Sequence, residues 1–121
     1  MTTRATPGAA SLDAATCLSK LARSRAAFVA CTRRAMPTVL PVRLRVREGM
    51  LLLGPVDAEL ADQLDGQVVA VGAGRPPGLL RSGWQVVVRG SLSLAEEGPG
   101  MLVLDPQELE GCAVSAAGGA G

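Results

Sequence analysis

The sequence predicts one mostly β domain, a six-stranded antiparallel β-barrel with peripheral helices. Alternation of apolar and polar residues dominates the chain, whereas helical spacing is confined to short segments. Consecutive predicted strands are mostly joined by short turns, which favours antiparallel pairing over a doubly wound fold. A small antiparallel sheet with one apolar face per strand usually closes on itself and so removes its edges.

The composition predicts a single aliphatic core. The chain has 121 residues, which suits one domain. It contains no Tyr, one Phe (Phe28) and one Trp (Trp84), so Val, Leu and Ala must fill the interior.

The first helix is expected to follow a mobile tail at residues 1–10, which are rich in Thr, Ala, Pro and Gly. Ser11 is a suitable N-cap, and apolar residues then recur at three- and four-residue spacing until Arg23 to Arg25. The domain is predicted to span residues 11–113. Residues 114–121, rich in Ser, Ala and Gly, are predicted to be a disordered tail.

The strands follow from period-two alternation and turn residues. They are predicted at 26–32, 38–47, 50–53, 67–71, 83–94 and 101–104. Pro41 cannot donate a ladder hydrogen bond, so it requires an edge or a bulge. Gly90 interrupts the side-chain rows of the longest strand and predicts a bulge or sharp bend there.

Two further helical segments and one long loop complete the pattern. Asp57 can cap a second helix that ends at Gly66. Residues 72–82 carry glycines and prolines and are expected to form the longest loop. Asp105-Pro106 predicts a short turn of helix that stops at Gly111.

The side-chain inventory excludes several kinds of chemistry. The chain has no His, which removes Ser-His-Asp and Cys-His catalysis and His-ligated metal sites. Cys17, Cys31 and Cys112 are widely separated and form no CxxC motif, so we expect them to be buried thiols in a reducing compartment. We predict no catalytic residue and no metal ligand from the residues alone.

Charge and hydropathy argue against nucleic-acid and membrane partners. The formal net charge is +1, and the cationic positions on the second strand lack aromatic neighbours for base stacking. No apolar run approaches the roughly 18 residues needed to span a bilayer, and residues 1–10 lack the blocks of a signal peptide. We therefore expect no nucleic acid, no membrane and a cytoplasmic location.

Four segments together resemble a known family. They are the helix and strand from Leu18 to Thr32, PTVLPVRLRVREGMLLLG (37–54), SGWQVVVRGSLSL (82–94) and LVLDPQELEG (102–111). In order and spacing they resemble small bacterial members of the pyridoxamine 5'-phosphate oxidase-like family of split-barrel flavoproteins. The likeness covers about residues 12–112.

The resemblance implies a six-stranded split β-barrel that forms a homodimer and holds FMN, or a deazaflavin, in a cleft between subunits. It implies an oxidoreductase in which the cofactor performs the chemistry on a small-molecule substrate of unknown identity. It places the flavin ring along one strand, and it brings Arg81 and Trp84 towards the partner's cleft. The ring-side residues are Val39, Leu40, Pro41, Val42 and Arg43.

The chain departs from the family at the phosphate site. Relatives carry Thr or Ser at the end of the third strand and a cation early in the next helix, where this chain has Gly54 and Glu59. With Asp57 beside it, Glu59 is expected to repel a phosphate. Either Arg43, Arg45 or an Arg of the partner subunit compensates, or flavin binding is lost.

Two alternatives therefore stay open. One is a cofactor-free split-barrel dimer that acts as a structural or interaction module, and the other is a small nucleic-acid-binding barrel. Flavin binding by the purified protein would favour the flavoprotein, and a colourless dimer would favour the module. Salt-dependent binding would be needed for nucleic acid.

Overall fold

The fold has eight strands and two helices within residues 2–4, 10–79 and 82–115, which the computed structural model describes. The strands are β1 (Thr2–Arg4), β2 (Ala10–Ser11), β3 (Ala26–Arg33), β4 (Met36–Arg47), β5 (Met50–Leu53), β6 (Val68–Arg75), β7 (Gly83–Leu94) and β8 (Leu102–Val114). The helices are α1 (Ala14–Arg23) and α2 (Ala58–Leu64).

Six strands close into a barrel in the order β3, β4, β5, β8, β7 and β6, with β6 returning to β3. Every neighbouring pair in this ring is antiparallel. The predicted six-stranded antiparallel barrel is therefore confirmed. The short strands β1 and β2 add to β8 outside the ring, β1 in parallel and β2 antiparallel.

Strand alternation builds the aliphatic core that the composition predicts. On β4, Val42 and Leu44 are 8% and 7% exposed, whereas Arg43 and Arg45 point outwards and are exposed. The side chains that are completely buried come from Leu, Val and Cys. Helix α1 packs on β8, β4 and β7 and contributes Cys17 and Leu21 to this core.

The predicted N-cap of α1 is wrong. Asp13, not Ser11, caps the helix, and its carboxylate accepts a hydrogen bond from the Thr16 N–H at 2.7 Å. This bond holds the pKa of Asp13 below its ordinary value. Ser11 lies in β2 opposite Cys112, so its backbone is extended and does not begin the helix.

The predicted helical turn after Asp105 is also wrong, because β8 runs through this segment as one strand. Gly90 lies opposite Pro106 and Arg89 opposite Glu108, so the register shifts and β8 bulges. A Cβ on Gly90 would collide with the carbonyl oxygen of Asp105, which confirms the predicted bulge and explains the glycine.

Two other predictions, one about a loop and one about Pro41 in a strand, have different outcomes. Strand β6 continues to Arg75, so the loop predicted to begin at Gly72 is shorter than expected. Residues 36–43 of β4 pair only with β3, which leaves Pro41 on a half-open edge as predicted.

The domain bounds 11–113 stay a prediction. Within the predicted N-terminal tail the structure has β1 and the first residue of β2. Val114 is the last residue of β8, and residues 116–121 of the predicted C-terminal tail lie outside the described residues. In the part of the chain that is described, no helix is long and apolar enough to cross a membrane.

Candidate functional site

The outer face of β4 carries a row of side chains that changes from apolar to cationic. Val39, Pro41, Arg43 and Arg45 are alternate residues, and consecutive members of the row therefore lie about 7 Å apart along the strand. Val39 is 63% exposed, and the other three are also exposed. One strand thus presents an apolar surface at one end and a positive surface at the other.

The apolar end opens into a cavity of about 520 Å³, here called the apolar groove. Phe28 of β3, opposite Pro41 on one side and Gly72 on the other, points outwards and is 59% exposed. Phe28 lines the apolar groove together with Val39, Trp84, Pro76 and Pro77. No charged residue of the described chain lines it, so it favours an uncharged, apolar group.

Gly72 keeps the apolar groove open. A Cβ built on Gly72 would meet only the Val86 carbonyl oxygen, at 4.0 Å, so the strand itself tolerates a side chain. At Gly74 the same atom would lie 2.6 Å from the Trp84 carbonyl oxygen. Packing therefore requires the glycine at 74, whereas the glycine at 72 leaves space in the groove.

The cationic end of the row opens into a larger cavity of about 880 Å³, here called the arginine groove. Arg43 and Arg45 of β4 line it, and Arg25 joins them from the turn between α1 and β3. Gly54 and Pro55, which follow β5, form another part of its lining. A smaller cavity of about 530 Å³ is lined by Pro41, Val42, Arg43 and Pro55 and lies between the two grooves along β4.

The backbone explains why residue 54 has no hydroxyl. Gly54 has a φ of +122°, and a Cβ there would lie 2.6 Å from the Gly100 carbonyl oxygen. The same carbonyl accepts a hydrogen bond from the Val56 N–H at 2.8 Å, so the segment after β5 is held against the β7–β8 turn. A Thr or Ser at position 54 is incompatible with this close approach.

The acidic residues of α2 do not line either groove. Asp57 caps α2, and its carboxylate accepts from the Leu60 N–H at 3.4 Å. Glu59 is exposed in the first turn. Neither carboxylate lines the arginine groove or the smaller cavity beside it. The expected repulsion would therefore apply to a phosphate bound at α2, and not to one bound in the arginine groove.

The structure brings most of the predicted cofactor residues to this outer face. Arg43 and Gly54 share the arginine groove, while Val39 and Trp84 share the apolar groove. Leu40 and Val42 instead face inwards: Leu40 packs against the core, and Val42 is part of it. The predicted residue Arg81 lies outside the described residues.

Trp84 is half-buried and belongs to both the core and the groove. It packs against the buried cluster, and the Lys20 ammonium of α1 lies 5.1 Å from the centre of its ring. This cation–π contact ties α1 to β7. Trp84 therefore has a packing role in addition to lining the apolar groove.

Sequence reasoning missed three residues of the site. The sequence pattern places Arg25 only at the end of a helix, Phe28 in the strand 26–32 and Gly72 in a loop. Strict alternation from the buried Val29 could have identified Phe28 as an outward residue. No local signal identifies Arg25, because it reaches the groove through the packing of α1 beside β4.

The buried thiols do not provide a nucleophile. All three cysteines are unpaired and buried. Burial raises the pKa of the Cys17 and Cys31 thiols, and Asp13 raises that of Cys17 further. Because a raised pKa disfavours the thiolate, both groups are unreactive at neutral pH. Among the described residues, no group of three His, Cys, Asp or Glu side chains could hold a metal ion.

Comparison with known proteins identifies the fold. No protein-family model and no curated protein sequence matches the chain. An FAD-binding protein from Mycobacterium smegmatis superposes with a TM-score of 0.74 at 18% identity, covering 88% of this chain and 98% of that one. A candidate pyridoxamine 5'-phosphate oxidase from Corynebacterium glutamicum gives 0.73 at 16% identity, covering 87% and 97%.

The fold is the split β-barrel of pyridoxamine 5'-phosphate oxidase-like proteins. An FAD-binding protein from Mesorhizobium loti has the same split barrel, with a TM-score of 0.71 at 16% identity over 87% of this chain and 97% of that one. The fold expected from the resemblance of residues 37–54 and 82–94 is therefore confirmed.

Proposed function

We propose that this split barrel binds a phosphorylated flavin along the outer face of β4, with the ring at the apolar groove and the phosphate at the arginine groove. The observation that carries the proposal is the row from Val39 through Pro41 to Arg43 and Arg45, which changes from apolar to cationic along a single strand. A flavin phosphate has the same order of properties, a planar ring at one end and an anion at the other.

The residues present fit such a ligand. Phe28 and Val39 supply apolar walls for a ring, and Gly72, on the other side of Phe28, adds no side chain to the groove. Residues 36–42 pair on one side only, so the Val39 N–H and the carbonyl groups of Val39 and Pro41 face away from β3 and are available to the polar edge of the ring. Such backbone contacts require no particular side chain.

The proposed activity is that of a flavin-dependent oxidoreductase. A bound flavin supplies hydride or electron transfer, and the chain's own residues bind and orient it. No His or accessible thiol is needed for this division of labour. FMN is the smallest ligand with both required parts, while FAD and deazaflavins carry the same parts in larger molecules; the names of the M. smegmatis and M. loti neighbours favour FAD among these.

The proposal includes a homodimer in a reducing, cytoplasmic environment. The outer face of the barrel exposes Phe28, Val39 and Val68, the last being 70% exposed. Large apolar side chains exposed on the neighbouring strands β3, β4 and β6 favour an interface. Sedimentation of the wild-type chain should give a dimer, and Val68→Lys should shift it towards the monomer. A wild-type chain that is monomeric at micromolar concentration would contradict the dimer.

Flavin fluorescence titrations of two charge variants of β4 test the proposal. Val39→Glu places a carboxylate in the apolar groove, so we expect the affinity for both FMN and riboflavin to fall by about tenfold or more. Met36→Glu is the matched control, because Met36 is 65% exposed on the same strand but lines neither groove. Its affinities should stay within about twofold of wild type.

The same titration separates the flavoprotein from the alternative function. The absence of a Thr or Ser at position 54 and of a cation on α2 favours a cofactor-free dimer that acts as an interaction module. If the folded wild-type chain binds neither FMN, FAD nor a deazaflavin, that alternative replaces the proposed function. Equal loss of affinity in Val39→Glu and Met36→Glu would also contradict the placement of the ring.

A further inference from the structure

The arginine groove is an unbalanced cluster of positive charge. Arg25, Arg43 and Arg45 all contribute to its lining, and no carboxylate of the described chain does. The next outward residue of β4, Arg47, behaves differently, since it forms an ion pair with Glu97 at 3.1 Å. Arg89 on β7 is likewise paired, with Glu108 and Glu110.

The three arginines of the groove have no such partner within the described part of the chain. Like charges held in one groove repel each other, and an anion placed between them removes that repulsion. Guanidinium groups also present forked N–H donors that match the oxygens of a phosphate. Charge and hydrogen-bonding geometry therefore select the same class of ligand.

The backbone of Arg25 is fixed, although its side chain is exposed. Its carbonyl oxygen accepts a hydrogen bond from the Leu44 N–H at 3.0 Å, which places Arg25 beside the strand segment between Arg43 and Arg45. Ser24 satisfies the last turn of α1, because its N–H and hydroxyl both donate to the Lys20 carbonyl, at 3.1 Å and 2.9 Å. Competition between these helix carbonyls and an anion for the Arg25 guanidinium is thereby reduced.

We propose that Arg25, Arg43 and Arg45 form one anion site that binds the phosphate of a phosphate-ester ligand, with Arg25 supplying the cation that α2 lacks. The site takes the place of the hydroxyl that Gly54 excludes. The identification of the ligand as a flavin phosphate rests on the proposed function, whereas the anion site itself does not. Arg25 is assigned as a binding residue, with no part in a chemical step.

Calorimetric titration of three proteins with FMN, riboflavin and inorganic pyrophosphate tests this assignment. Arg25→Gln should weaken FMN binding by about tenfold or more, because one charge-assisted contact to the phosphate is lost. Riboflavin lacks the phosphate, so its affinity should not change. Arg23→Gln is the matched control, since Arg23 ends α1 two positions away and does not line the groove. Its affinities should equal those of wild type.

Arg25→Lys provides a second variant that keeps the charge. It should bind FMN more tightly than Arg25→Gln and less tightly than wild type, because an ammonium keeps the attraction but loses the fork. Circular dichroism and thermal midpoints of all variants should match wild type. If so, a change in affinity cannot be attributed to unfolding.

Pyrophosphate distinguishes failure of the anion site from failure of the flavin proposal. Pyrophosphate binding that Arg25→Gln weakens, in a chain that binds no flavin, would support the anion site and contradict the proposed function. FMN binding that is equal in wild type and Arg25→Gln would overturn the assignment of Arg25. A wild-type chain that binds neither FMN nor pyrophosphate would overturn the anion site.

Discussion

Restoring the relatives' hydroxyl at position 54 should damage this protein. In Gly54→Ser the new Cβ would lie 2.6 Å from the Gly100 carbonyl oxygen, at a φ of +122° that side chains rarely adopt. The backbone conformation costs about 1–3 kcal/mol for a residue other than glycine. The displaced turn also weakens the Val56 N–H to Gly100 hydrogen bond, worth about 0.5–1.5 kcal/mol. We expect a total loss of about 1.5–4.5 kcal/mol in the free energy of unfolding.

Urea unfolding followed by the fluorescence of Trp84, the chain's single tryptophan, measures this loss. Gly49→Ser is the matched control, because Gly49 has a φ of +78° but nothing lies within 4 Å of its built Cβ. That variant should lose only about 1–2 kcal/mol, the cost of the left-handed backbone. The larger loss expected for Gly54→Ser reflects the contact with Gly100 together with the difference in φ between the two sites.

Two results would contradict a structural requirement for glycine at position 54. Equal stabilities of Gly54→Ser and Gly49→Ser would show that the turn relaxes around the new side chain without cost. A stable Gly54→Ser that binds FMN more tightly than wild type would show that the hydroxyl site is accessible after all. Either result would favour the end of β5, and not the arginine groove, as the position of the phosphate.

Four further predictions concern the core and α1. The thiols of Cys17 and Cys31 should react with Ellman's reagent only after denaturant is added, and rapid labelling of the native protein would contradict their burial. Because their folded-state pKa values are raised, the contribution of these two thiols to stability should be constant below about pH 8.5 and fall as the pH rises further; a pH-independent urea midpoint between pH 8 and 10 would contradict this. Lys20→Met should lower stability by about 0.5–1 kcal/mol and alter the emission of Trp84, and an unchanged emission maximum would argue against the cation–π contact. Leu104→Ala should cost about 2–5 kcal/mol by the same urea assay, since Leu104 is completely buried; a loss below 1 kcal/mol would be inconsistent with that burial.

The barrel was predictable because its signals are local. On β4, Val42, Leu44 and Val46 alternate with three arginines, and this alternation determines which face of the strand is buried. Gly90 marks the bulge. The segment after Asp105 misled the prediction for the same reason. A Pro at a first helical position and a Gly at a stop are good local helix signals, yet pairing of β8 with β7 along its length outweighs them.

The site was only partly predictable, because it is assembled by non-local packing. Arg43 could be identified from the strand that carries it, whereas Arg25 is separated from it in sequence and joins it through the α1–β3 turn. The loss of a hydroxyl at Gly54 was visible in the sequence. Its cause was not, because the close approach of Gly100 comes from a turn far along the chain.

Chemical-shift mapping of the isotope-labelled chain with FMN tests whether the flavin binds along β4. We expect the backbone amide shifts to concentrate on β4 between Val39 and Arg45, with a second group at Arg25 and the Gly54 segment. Riboflavin should reproduce the shifts near Val39 and lack those near Arg25. Saturable shifts confined to the N-terminus of α2, or the absence of any saturable shift in the folded protein, would contradict flavin binding along β4.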